Sequence, residues 1–249
     1  MKHAAIAASI LALTGTAMVT APTRAGSPIP EIVERAAAFN AEATSGVIVE
    51  ERHIELNASA GPMHFSQAND AMVLLQNGDY KRLRYLRIVE NGKPLAPDRV
   101  AQEEEQNNAE LLRGKSFFKQ PFDEHYLRDY TFAPAACECA PHRRAIAFTS
   151  VVRDDQHGDG TMILDETSGK PITVSYTPDV LPEHASTGTT TETFGEAAPG
   201  VWTTISIQRE YGGRVAIFHG NGVMIERIDH VQRFPDSNAG IAYLQRASL

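Results

Sequence analysis

MHFSQANDAMVLLQNGDYKRLRYLRIVENG, residues 63–92, carries the reading on which the fold rests. Its first half ends in the apolar run Met72, Val73, Leu74, Leu75. Asn77-Gly78-Asp79 follows, a hairpin signal, because Asn and Gly tolerate the left-handed backbone that a tight turn needs. Residues 80–90, with Leu83, Tyr85, Leu86, Ile88 and Val89, read as the returning strand, and Asn91-Gly92 turns the chain again. Upstream, residues 47–56 are β-branched and alternate with charge, and Gly61-Pro62 joins them to the next strand. Strands joined by such short turns are antiparallel, since a parallel pair needs a long crossover.

The same rhythm returns downstream. Residues 146–152, 161–164, 172–176, 201–207, 214–219 and 223–231 alternate or are β-rich, and Gly- or Pro-containing turns separate them. Gly212-Gly213 and Gly220-Asn221-Gly222 read as hairpin turns, and the Thr- and Gly-rich residues 187–193 as an edge strand or a loop. Between the two sets of strands, residues 97–130 are a helical insertion. Pro97 and Asp98 mark its start, Gln102 to Gln106 is a strongly polar stretch, and Phe117, Phe118, Phe122, Tyr126 and Tyr130 give it aromatics with which to dock. Before the first strand, Ile32, Val33, Ala36, Ala37 and Phe39 recur at helical spacing behind Pro30. The expected fold class is α+β: a curved antiparallel sheet of about eight to ten strands, an incomplete barrel, packed on that N-terminal helix. The tail, residues 235–249, is expected to be loose except where Ile241, Tyr243 and Leu244 dock.

The first 25 residues read as a cleavable signal peptide. Lys2 and His3 precede an apolar stretch at residues 4–19, and Pro22 and Thr23-Arg24-Ala25 close it with small residues at the cleavage positions. This predicts a periplasmic protein whose single domain spans residues 26–234. Removing Lys2 and Arg24 takes the net charge from −8 to −10, which disfavours nucleic acid as a partner. No later stretch is long and apolar enough for a membrane helix.

Cys137 and Cys139 flank a single residue. A local disulfide, two free thiols and a soft-metal site with His142 all remain open readings. The histidines fall in no zinc-binding pattern, and no Gly-x-Ser-x-Gly nucleophile elbow appears, so no catalytic residue and no cofactor is expected. Asp154, Asp155, His157 and Asp159 allow a calcium loop, with a hydrated hairpin tip as the plainer reading.

The layout resembles a known superfamily. A signal peptide, a helix and a meander are followed by a helical insertion. Gly160-Thr-Met-Ile-Leu-Asp-Glu-Thr-Ser-Gly-Lys-Pro171 and Pro199-Gly-Val-Trp202 come next, and a last strand ends at Arg233-Phe234. This is similar to the periplasmic outer-membrane lipoprotein carriers and their half-barrel relatives, which include sigma-factor regulatory sensors. The resemblance spans residues 27–234 and implies an incomplete barrel that holds acyl chains. The expected function is therefore non-enzymatic binding of a lipid, acyl chain or lipoprotein in an apolar concavity. The strand residues Met72, Leu74, Tyr85, Phe148, Met162, Tyr176, Trp202 and Phe218 are its expected wall. The alternatives are an envelope interaction or sensor protein with a filled core and an envelope protein as partner, and a hydrolase.

Overall fold

The computed structural model describes residues 28–112, 118–181, 185–215 and 218–247, without the side chains of Val215 and Phe218. The expected signal peptide lies outside these residues. Helix α1 (Glu31–Ala43) leads into β1 (Val47–Ala60), β2 (Met63–Gln76), β3 (Asp79–Glu90) and the short β4 (Lys93–Pro94). Helix α2 (Pro97–Leu112) follows, and then β5 (Tyr130–Pro134), β6 (Arg143–Ser150), β7 (Gly158–Asp165) and β8 (Pro171–Pro178). The chain ends with β9 (Ala185–Ala198), β10 (Val201–Val215), β11 (Phe218–Phe234) and α3 (Ser237–Arg246).

The eleven strands among the described residues form one curved, open antiparallel sheet in the order β4-β3-β2-β1-β11-β10-β9-β8-β7-β6-β5. Two meanders, β1–β4 and β5–β11, meet where β1 pairs with β11 at the centre. Residues 95–129 connect one edge of the sheet to the other, as expected of an insertion between two halves. Of its described parts only α2 is an α-helix. The aromatic part is turns and a single 3-10 turn, Leu127–Asp129.

Side-chain alternation gives the sheet two different faces. On the concave face, Ile32, Val33 and Ala36 of α1 pack on Met162, Leu164, Val174, Phe194 and Phe148, with Phe122 and Tyr130 closing the cluster. Burying Ile32 and Val33 contributes roughly 1.5–3 kcal/mol each. The close approach of α1 needs Gly169 in the β7–β8 turn. Its φ is +75°, and a Cβ there would sit 2.9 Å from the backbone of Arg35. Arg35 donates to Glu166 O at 2.9 Å, and Arg233 donates to Ser45 O and Ala43 O, carbonyls at the C-terminal end of α1.

On the convex face, Met72 and Leu74 join Val47 and Val49 beneath Leu244 of α3. The tail is thus a helix in its middle, with Ile241, Tyr243 and Leu244 docked. Asp236 caps it by accepting from Ala239 N at 2.8 Å. The run Met72–Leu75 is apolar on both sides because both faces are covered there: Val73 packs with Ala71 and Leu83 on the concave side.

Two turn readings fail. Gly212 and Gly213 lie inside β10, and Gly220 and Gly222 inside β11, paired across the ladder. Residues 187–193 lie in β9, an interior strand rather than an edge. Glycine packs close against neighbours in a strand as readily as it bends a turn.

Candidate functional site

A cavity of about 280 Å³ lies on the concave face between α1, residues 118–126 and the strands. Phe39, Trp202, Phe118, Phe122, Tyr176 and Phe194 give it aromatic walls. Phe118 stacks on Tyr176 with ring centroids 3.5 Å apart, and Phe39 meets Trp202 edge-on at 6.5 Å. The floor is charged, not apolar. Arg52 donates to Glu50 Oε2 at 2.5 Å, to Glu226 Oε1 at 2.5 Å and to the hydroxyl of Tyr80 at 2.6 Å. Arg209 reaches Glu226 Oε2 at 3.5 Å.

Glu192 stands apart in this network. It accepts from Gln120 Nε2 at 2.9 Å and from the Tyr176 hydroxyl at 3.3 Å, both neutral donors. Burial pushes its carboxyl above the ordinary glutamate range, more than Arg209 draws it back. Burial pushes Glu226 the same way, but the guanidiniums of Arg52 and Arg209 outweigh it and hold Glu226 low. The charged floor arises from strand geometry. Residues 50–53, Glu-Glu-Arg-His, are consecutive in a central strand, so alternation sends Glu50 and Arg52 together to the concave face.

Beyond Arg52 the concave face changes character. Ile54, Leu56 and Met224 follow on the same face, half-buried. An open groove of about 410 Å³ then lies over Ala58, Ala60, Gly220 and Gly222, with Tyr211 and Gly213 beside them. Met63 and Phe65 form its wall and are 50% and 38% exposed. No helix covers this end among the described residues. Among the described residues its lining includes Arg214 and His64, both basic types, and no carboxylate.

The eight residues expected to form one wall are distributed over several places. Tyr176 and Trp202 line the central cavity. Phe148 and Met162 lie beside it in the packed core under α1. Tyr85 shares the concave face but packs with Leu83 beside Leu111 of α2. Met72 and Leu74 belong to the opposite face, under α3. The side chain of Phe218 lies outside the described residues. Cys137 and Cys139 are bonded to each other in the loop between β5 and β6. Among the described residues no group of His, Cys, Asp and Glu is arranged to hold a metal ion. His157, read as part of a hydrated loop, is fully buried between Asp154 Oδ1 at 2.6 Å and Asp129 Oδ2 at 3.2 Å.

A scan against models of protein families and a search of curated proteins each find no match. Among solved structures the chain is similar to a candidate outer membrane lipoprotein-sorting protein domain from Vibrio parahaemolyticus. That match has 12% identity over 86% of this chain and 98% of that one, with a TM-score of 0.44. It is also similar to a LolA superfamily protein from Nitrosomonas europaea, at 10% identity over 84% and 99%, TM-score 0.35. A DUF1329 family protein from Desulfovibrio piger matches at 10% identity over 88% and 98%, TM-score 0.40. These likenesses assign no role to any residue of this chain.

Proposed function

We propose that this chain is an exported, non-enzymatic binding protein that takes the acyl chain of a lipid or lipoprotein onto the uncovered half of its concave face. The observation that carries the reading is the groove at the far ends of β1, β2, β10 and β11. Its floor of alanine and glycine leaves room where larger side chains would fill it, and Met63 and Phe65 offer apolar walls. Its volume of about 410 Å³ suits a chain segment, since small-molecule sites run roughly 300–1,000 Å³. Each methylene removed from water there contributes about 0.8 kcal/mol. Arg214 and His64 at its margin favour an anionic headgroup on a protein that is otherwise acidic. The central cavity, with its charged floor, is not the place for such a chain.

Native mass spectrometry of the purified chain with palmitate tests this. A palmitate adduct is expected, weakened at least tenfold in Ala58→Phe, which fills the floor. Absence of any fatty-acid or phospholipid adduct removes the reading. The second reading, an envelope interaction protein, draws on the same exposed Met63 and Phe65 and on the filled half of the concavity. It is favoured if a folded partner protein, and no lipid, is blocked by Ala58→Phe.

A further inference from the structure

The acyl groove does not use the central cavity, and the cavity has a chemistry of its own. Three buried carboxylates, Glu50, Glu192 and Glu226, stand against two guanidiniums, the buried Arg52 and the half-buried Arg209. Arg52 is committed to Glu50 and Glu226, and Arg209 leans on Glu226. Glu192 has no ion-pair partner within 4 Å among the described residues, although it is only 6% exposed. Beside it, Gln120 spends its amide N–H on Glu192 and leaves its Oε1 buried without a partner. Glu192 is hydrogen-bonded only by neutral donors and Gln120 Oε1 by none, so these two neighbours in the cavity lining keep acceptor capacity that no cation fills. A buried acceptor left unmatched is costly, so a donor that reached Gln120 Oε1 and brought a positive charge to Glu192 would be held there.

The walls around these acceptors are aromatic. Tyr176 and Phe118 are stacked beside Glu192, and Trp202 forms the far wall. This wall already engages an ammonium: Lys170 Nζ lies 4.6 Å from the centre of the Trp202 ring and 5.4 Å from that of Phe39. Aromatic faces attract cations through their quadrupole, the more so where water is excluded.

We propose that the central cavity is a binding site for a small organic cation, a primary ammonium carrying an apolar or aromatic body. The ammonium donates to Glu192 and to Gln120 Oε1. The body lies between the Phe118–Tyr176 stack and Trp202. A carboxylate ligand would meet the net negative floor and is excluded on charge.

Trp202 is the only tryptophan of the chain and lines the cavity, so its fluorescence reports occupancy directly. The probe is phenethylammonium chloride, compared with 2-phenylethanol, its neutral analogue, and with 3-phenylpropanoate. The expected result is a saturable change in Trp202 emission with the ammonium and a response at least tenfold weaker with the alcohol or carboxylate. Glu192→Gln keeps the shape and removes the charge, and is expected to weaken binding at least tenfold. Gln120→Met removes the second acceptor from a half-buried segment and is expected to weaken it severalfold. Circular dichroism checks that each variant is folded, and if Glu192→Gln is not, Gln120→Met and the ammonium–alcohol comparison decide. No saturable response to the ammonium, equal binding of the alcohol, or undiminished binding by folded variants each overturns the proposal. Palmitate adducts are read by mass and at the other end of the sheet, so this site and the acyl groove fail or stand separately.

Discussion

Gly169 shows how much one residue decides about where α1 sits. Its backbone is left-handed, and the space where a side chain would go is taken by the backbone of Arg35 and Ala36. Gly169→Ala is expected to cost about 1–2 kcal/mol from the backbone conformation alone, with the collision adding to it. Thermal unfolding should show a clearly lower Tm, and an unchanged Tm would mean that α1 does not seat on this turn. His157 teaches a related lesson. A lone histidine in a polar loop gives no signal of burial, because the two carboxylates that face it, Asp129 and Asp154, include one from another part of the chain.

Among the elements, the helices differ in what holds them. Helix α1 has a full apolar stripe, whereas α2 buries only Val100. What ties α2 in place is hydrogen bonding to β3, whose outer edge β4 pairs only at Val89 and Glu90. Asn108 accepts from Leu83 N at 2.7 Å and donates to Leu83 O at 2.8 Å, and Glu104 accepts from Tyr85 N at 3.0 Å. These side chains take up backbone groups that would otherwise invite another strand. Helix α3 is short, so its N-terminal cap matters. Asp236→Ala is expected to lower stability by about 1 kcal/mol, read from the urea midpoint. If α3 contributes nothing to the fold, the midpoint will not move. The cap is legible in Asp236-Ser237-Asn238, but the docking face is not, because Leu244 packs on strands nearly two hundred residues earlier.

At the scale of the whole molecule, the ion network around Arg52 ties the two meanders at their seam. It joins β1, through Glu50 and Arg52, to β11, through Glu226, with Tyr80 from β3 alongside. Arg52→Met leaves buried Glu50 without its cation and Glu226 with Arg209 alone, and is expected to cost about 3–5 kcal/mol at neutral pH. The pH dependence follows from Glu226. Its carboxyl is held below the ordinary value of 4.5 in the folded chain. The stabilisation it contributes is therefore full above that value and is lost as pH falls through the lowered one. The gap in stability between the native chain and Arg52→Met should narrow in acid, and a gap constant from pH 7 down to pH 3 contradicts this assignment. Glu192 has the opposite sign. Raised by burial, it favours the fold below the ordinary glutamate value, and that contribution is lost as pH rises through its higher folded value.

Local pattern alone carries the strands, the N-terminal helix, the polar helix of the insertion and the antiparallel class, because turns and alternation act between neighbours in the chain. Tertiary structure decides which face each strand shows to the concavity, since a face is named only relative to what covers it. Met72 and Leu74 look the same in sequence as Val73 and Leu75, and only the positions of α3 and α2 separate them. The glycines of β10 and β11 read as turns because the pattern cannot show that they floor a groove. Glu50, Arg52, Glu192, Arg209 and Glu226 lie up to 176 residues apart, and no local signal ties them together. A run of four ionisable residues in a central strand does imply that one of its pairs is buried. Which pair it is, and which carboxylate remains without a cation, depends on strands that meet only when the sheet is assembled.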